Sequence, residues 1–155
     1  MLYEIREQQE PDRHLVVRRF TASAAEIGPL MGDAFGAVYQ YVGRHGLQPI
    51  GAPIGCYQIG SGTSFDVRAG CVVDVLAESE GDLEPYLLRG GPALVTEHVG
   101  SYDELPKAYE ALESRARELG YELDHGSMWE EYLTGPEVPP EQMRTVVHWP
   151  LKITG

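Results

Sequence analysis

Apolar and polar positions along the chain change period several times, and each change marks an element. His14 to Phe20 is a short run with Leu15, Val16 and Val17 at its centre and reads as a strand. From Ile27 onward the apolar residues recur three and four apart. Ile27, Leu30, Met31, Ala34, Phe35, Val38, Tyr41 and Val42 therefore share one face of a helix. Ser23 and Glu26 supply an S-x-x-E capping box at its start, and Gly46 after His45 a left-handed cap at its end. Pro53 to Ile59 then reads as a strand, bounded by Gly51 and by Gly60-Ser61-Gly62. Phe65 to Ala77 is a longer alternating run whose internal Gly70 predicts a bulge.

The second half follows the same order. Pro92 to Val99 reads as a strand, and Ser101 with Glu104 forms another capping box. Leu105, Ala108, Tyr109, Leu112, Ala116 and Leu119 mark one helical face, which Gly120 terminates. Ser127 to Leu133 is a strand, a proline-rich loop runs from Thr134 to Pro140, and Met143 to Pro150 is a last strand. The capping serines are 78 residues apart, the terminating glycines 74, and Tyr57 and Tyr132 in corresponding strands 75. Offsets this similar are those a duplication with small insertions leaves. The expected fold class is α+β: one domain over residues 1–155, made of two strand-helix-strand-strand modules at about 12–78 and 91–151. Such modules, each with a helix on one sheet face, can pair about a pseudo-two-fold axis, leaving an antiparallel sheet with a central ligand groove.

Composition narrows the partners. The 155 residues are 43% hydrophobic and 23% charged, ordinary for a globular domain. There are 24 acidic against 12 basic side chains, a formal net charge of −12. That balance opposes direct binding to nucleic acid or to an anionic membrane and favours an organic cation or a basic protein. No apolar run approaches the roughly 18 residues of a spanning helix. Met1 to Glu10 is polar and lacks a signal-peptide core. Cys56 and Cys71 each sit in an apolar alternating run and read as buried, reduced thiols. A cytoplasmic location is the expectation.

Candidate chemistry concentrates in Met128-Trp129-Glu130-Glu131-Tyr132-Leu133. In a strand Glu130 and Tyr132 point to one face, Trp129 and Glu131 to the other, so one glutamate must lie on the less solvated side. A carboxylate beside aromatic rings at low dielectric either holds its proton, as a general acid or base does, or awaits a cation. His98-Val99-Gly100-Ser101-Tyr102 joins a strand to a helix, and His98 reads as a strand-end histidine bonded to backbone. His14, His45, His98, His125 and His148 show no metal-ligand spacing, so neither a metal nor another cofactor is expected. There is no Walker A pattern and no G-x-S-x-G elbow. Gly60-Ser61-Gly62 lies between two β runs and reads as a turn, not a phosphate cradle.

These residues, taken in order, resemble the GyrI-like small-molecule-binding family, which includes effector-binding domains of AraC-type and MerR-type regulators and gyrase-inhibitory proteins. The resemblance runs from about His14 to Leu151. It rests on Gly51-Ala-Pro-Ile-Gly-Cys-Tyr57, on His98-Val-Gly-Ser-Tyr102 with Tyr109, on Trp129-Glu-Glu-Tyr-Leu133 and on Thr145-Val-Val-His-Trp-Pro150. It implies a duplicated fold with a ligand groove and a pocket glutamate in an E-x-Y pattern, which falls on Glu130 and Tyr132. Ligand contacts are then expected from Glu130, Tyr132, Tyr57, Trp129, Phe35, Met31 and Tyr102. In regulators of the family the glutamate faces cationic aromatic drugs. Some stand-alone relatives resemble hydrolases that open the cyclopropane of DNA-alkylating natural products. Glu130 and Tyr132 would then be catalytic. No DNA-binding segment is expected within these residues. The leading expectation is a binding module for bulky aromatic, often cationic molecules. The alternatives are a cyclopropane hydrolase and a protein that docks onto gyrase or a separate regulator.

Overall fold

The computed structural model describes residues 3–59, 62, 64–135 and 137–152. Their secondary structure is mixed α+β: eight strands, all paired antiparallel where registers are defined, and two α-helices. The elements in chain order are β1 (Ile5–Glu10), β2 (Arg13–Ser23), α1 (Ile27–Arg44), β3 (Pro49–Ile59), β4 (Ser64–Val73), β5 (Leu83–Leu88), β6 (Gly91–Val99), α2 (Leu105–Leu119), β7 (Met128–Tyr132) and β8 (Arg144–Pro150). The chain divides into two compact units: Pro11–Gly90, and Met1–Glu10 together with Gly91–Gly155.

In the unit of Pro11–Gly90 the strand order is β3-β4-β2-β5, with α1 packed on β2 and β4. Its core gathers Val16 of β2, Val38, Tyr41 and Val42 of α1, Cys71 and Val73 of β4, and Leu83 of β5. The helical periodicity thus buries the face it predicts. Tyr41 extends that core to the surface, its hydroxyl donating to Glu78 O at 2.7 Å and accepting from Glu78 N–H at 3.1 Å.

The other unit has the order β1-β6-β8-β7, with α2 on β6 and β8. Leu94, Met128, Val147 and Trp149 of its sheet pack on Ala108, Leu112 and Ala116 of α2. Each unit thus orders its strands the same way: the strand before the helix is flanked by the last strand of its module and by a fourth, outer strand. That fourth strand, β5 or β1, comes from the segment immediately upstream of the other unit's first strand.

Several expectations need correction. β1 and β5 are strands that periodicity alone does not reveal. β1 is polar, and β5 carries Pro85, which an edge strand bonded on one side only tolerates. β4 ends at Val73 rather than Ala77, and Leu76 is 72% exposed. The bulge falls not at Gly70 but in the partner strand, between Ile50 and Ile54 of β3. Gly70 answers a different need, because a Cβ there would stand 1.8 Å from the Val16 carbonyl oxygen.

The capping boxes form only in part. The Glu26 carboxylate accepts from Ser23 N–H at 3.0 Å and from Ser23 Oγ at 2.8 Å, but the Ser23 hydroxyl does not cap the helix. Ser101 also makes no side-chain cap; a 3-10 turn over Tyr102–Glu104 precedes α2, and Pro106 in its first turn has no N–H to satisfy. Gly120 is left-handed at φ 73°, as its position after Leu119 predicts, and so is Gly46 at φ 63°. The expected turn at Gly60-Ser61 lies outside the described residues. Cys56 and Cys71 are both buried and free, and burial pushes their thiols up to about 12 and about 11. Among the described residues no helix is long and apolar enough to cross a membrane.

Candidate functional site

β7 sets the site. Its partner β8 places Glu130 opposite Val147 and Tyr132 opposite Thr145. Val147 belongs to the core under α2, so Glu130 and Tyr132 face the helix, and strand alternation sends Trp129 and Glu131 to the other face.

On the helix face Glu130 is 6% exposed. Its Oε1 accepts the Tyr132 hydroxyl at 2.8 Å, and its Oε2 accepts the hydroxyl of Tyr109 from α2. Tyr102, in the turn before α2, lies edge-on to Tyr132 with ring centroids 6.0 Å apart. Tyr109 is braced edge-on by Trp149 at 5.5 Å, and the Trp149 indole N–H donates to Asp124 O at 3.0 Å. Burial pushes the Glu130 carboxyl above the usual carboxylate range, while the two tyrosine hydroxyls pull it partly back. Burial, with the Glu130 charge second, also raises the Tyr102 phenol. Among the described residues no basic side chain shifts the Glu130 carboxyl. The arrangement is a desolvated carboxyl with two hydroxyl donors and, among the described residues, no counter-charge.

On the opposite face His148 lies flat on Trp129, with ring centroids 3.6 Å apart and planes within 6°. His148 Nδ1 is 2.8 Å from Glu10 Oε1, and His148 Nε2 is 2.5 Å from Glu131 Oε1. The amide of Gln8 donates to the same Glu10 oxygen at 3.0 Å.

The expected site residues thus fall into three groups. Glu130, Tyr132 and Tyr102 come together. Trp129 shares their strand but lies on its other face, against His148. Met31, Phe35 and Tyr57 belong to the unit of Pro11–Gly90, where the Tyr57 hydroxyl lies 4.0 Å from the Met31 sulfur and Phe35 is half-buried. In the sequence Tyr109 belongs to a helical face and to the residues that carry the family resemblance, but it is not among the expected ligand contacts. Its spacing predicts an inward residue, and its hydroxyl marks it as one able to reach a polar group. Nothing in the sequence assigns Glu10 or His148 a role in the site.

His98 bonds to backbone as expected, its Nε2–H donating to Ser101 O at 3.0 Å, and its Nδ1 accepts the Tyr3 hydroxyl at 2.8 Å. Tyr3, His98, Ser101, Glu104, Lys107 and Glu141 help line a cleft of about 740 Å³ that does not include Glu130. Lys107 pairs with Glu104, three residues before it on the chain, at 2.5 Å. Among the described residues no group of three or more potential ligands is placed to hold a metal ion.

Comparison with known proteins relates the fold to solved structures. The C-terminal domain of EcmrR superposes with a TM-score of 0.81 at 20% identity, covering 99% of this chain and 100% of that one. In the complex of EcmrR with DNA the values are 0.80 and 22%, and the match covers 99% of this chain but 59% of that one. A hydrolase from Listeria innocua superposes with a TM-score of 0.73 at 13% identity, covering 96% and 92% of the two chains. SAV2435 bound to tetraphenylphosphonium gives 0.66 at 16% identity, covering 98% and 94%. At these identities the likeness is one of fold. No curated protein sequence matches significantly. The match that identifies the chain is to a family model spanning residues 3–152, by which it belongs to the GyrI-like small molecule binding domains.

Proposed function

We propose that this domain binds bulky aromatic cations and that Glu130 supplies the counter-charge. The observation that carries this reading is the buried Glu130 carboxyl, held by two tyrosine hydroxyls with no basic partner among the described residues. A carboxylate in that setting is costly to ionise alone, and an entering cation offsets the cost. Hydroxyl donors aim its oxygens without neutralising it. Tyr132, Tyr109 and Tyr102 would offer ring faces to the same ligand. The similar fold of SAV2435, a protein bound to tetraphenylphosphonium, supports this reading.

Ethidium and its uncharged parent ring system, phenanthridine, test it by fluorescence titration. Glu130→Gln is expected to weaken ethidium about tenfold or more while leaving phenanthridine unchanged. Equal losses for both would remove the counter-charge role.

A second reading draws on the hydrogen bond between Tyr132 and Glu130. Ionised Glu130 could take a proton from water as the oxygen attacks a ring carbon of an activated cyclopropane. The strained carbon–carbon bond breaks toward a conjugated carbonyl, whose oxygen takes the Tyr132 proton. The proton on Glu130 then returns to Tyr132, and the net change is addition of one water. The fold is shared with a hydrolase, which is compatible with this chemistry. Water-added product beyond one equivalent of protein, seen by mass spectrometry, would establish turnover. An alkylator left intact would leave the binding reading alone.

A further inference from the structure

The charged cluster behind Glu130 has no part in the reading above, yet it holds the same strand. His148 presents both ring nitrogens to carboxylate oxygens, at 2.8 Å to Glu10 and 2.5 Å to Glu131. Ionised carboxylates only accept, so with both ionised each nitrogen carries a hydrogen. The parallel indole of Trp129 at 3.6 Å offers its electron-rich face to the same ring.

The two carboxylates come from different strands. Glu10 ends β1 at the point where the chain leaves this unit, and Glu131 follows Glu130 directly on β7. With His148 on β8, the cluster ties β1, β8 and β7 across one face of the sheet, and Trp129 adds a second grip on β7. Both residues that flank Glu130 toward that face, Trp129 and Glu131, are therefore held by one ring.

We propose that His148, as an imidazolium between Glu10 and Glu131, is a positioning residue that fixes β7 so that Glu130 meets the hydroxyls of Tyr109 and Tyr132. This inference rests on the reading of Glu130 as the ligand's counter-charge. A neutral ring has one N–H and can bond only one of the two carboxylates. Deprotonation thus releases either the tie to β1 or the tie to β7. The other charged groups that register places on this face are Arg6 of β1 and the Glu97–Arg144 pair of β6 and β8. Arg6 is exposed, and Arg144 is bonded to Glu97 at 2.8 and 3.1 Å. Burial opposes the charge on His148, but its bonds to Glu10 and Glu131 outweigh burial and raise it above free histidine.

The consequence is a pH signature of opposite sign to that of Glu130 alone. Ionisation of Glu130 makes cation affinity rise with pH. Loss of the His148 proton makes it fall again on the alkaline side. The test measures ethidium affinity across pH alongside the ring nitrogen resonances of His148. Both ring nitrogens are expected to be protonated at pH 7, with affinity dropping about tenfold as the ring deprotonates. Glu131→Gln keeps an acceptor for Nε2–H but removes its charge, so the alkaline limb should move to lower pH and the acid limb stay.

A neutral ring at pH 7 overturns the proposal, as does an alkaline affinity that stays level while the ring titrates. If ethidium binds at no pH, the cation-binding reading fails. The Glu130 carboxyl carbon resonance then decides the positioning role: it must respond to His148 titration, and a silent resonance overturns it.

Discussion

Glu130 and Glu131 are consecutive residues in opposite settings. Glu130 is bonded to two neutral tyrosine hydroxyls under α2, while Glu131 lies 2.5 Å from the His148 ring on the other face. Burial raises the first carboxyl above its ordinary range. The second, 27% exposed at its side chain, faces the His148 ring that we propose to be an imidazolium. Strand alternation produces this contrast from adjacent positions.

Glu130 therefore costs stability whenever it ionises. Its native value lies above that of the unfolded chain, so the native state holds the proton more tightly. Stability falls as pH rises from about 4.5, the ordinary glutamate value, through the native one. Glu130→Gln keeps a carbonyl acceptor and removes that loss. It should raise stability at pH 8 in urea unfolding, with little effect at pH 4. A variant destabilised equally at both pH values would contradict this.

Tyr109 is the donor that α2 brings to the carboxyl. Tyr109→Phe keeps the edge-on contact with Trp149 but removes the hydroxyl. It should lift the Glu130 carboxyl further and weaken ethidium by about three- to tenfold at pH 7, leaving phenanthridine unaffected. Carboxyl titration by NMR and the two dye affinities check both parts.

The His148 cluster contributes stability of the same pH sign. A histidine raised in the native state stabilises fully below its unfolded value near 6.5, and that contribution is lost as pH rises through the native value. In the Glu130→Gln background the remaining decline in melting temperature should therefore begin above pH 6.5, and Glu131→Gln should shrink it. A decline confined below pH 6 would assign the effect elsewhere.

Gly70 is predicted to be intolerant for a steric reason. A methyl group would stand 1.8 Å from Val16 O and 2.9 Å from Val17 Cα, both backbone atoms of the paired strand. Gly70→Ala should cost at least about 3 kcal/mol or prevent folding, measured against Gly36→Ala in α1, where a Cβ meets nothing within 4 Å.

The parts legible in the sequence are those that a local period encodes. The faces of α1 and α2 follow from apolar spacing because a helix turns every 3.6 residues whatever surrounds it. Gly46 and Gly120 end the helices because each backbone turns left-handed there. Glu130 and Tyr132 share a face because strand side chains alternate, and that suffices to place them together. Periodicity assigns a face but names no neighbour. β1 and β5 are strands because β6 and β2 offer them open edges, a property of the sheet and not of their own residues. Tyr109 meets Glu130 because α2 crosses the sheet at that point. Glu10 meets His148 across 138 positions of chain because β1, β8 and β7 are held in one register. Hydrogen bonds between such distant residues depend on where paired strands bring them, and no window of sequence contains both partners.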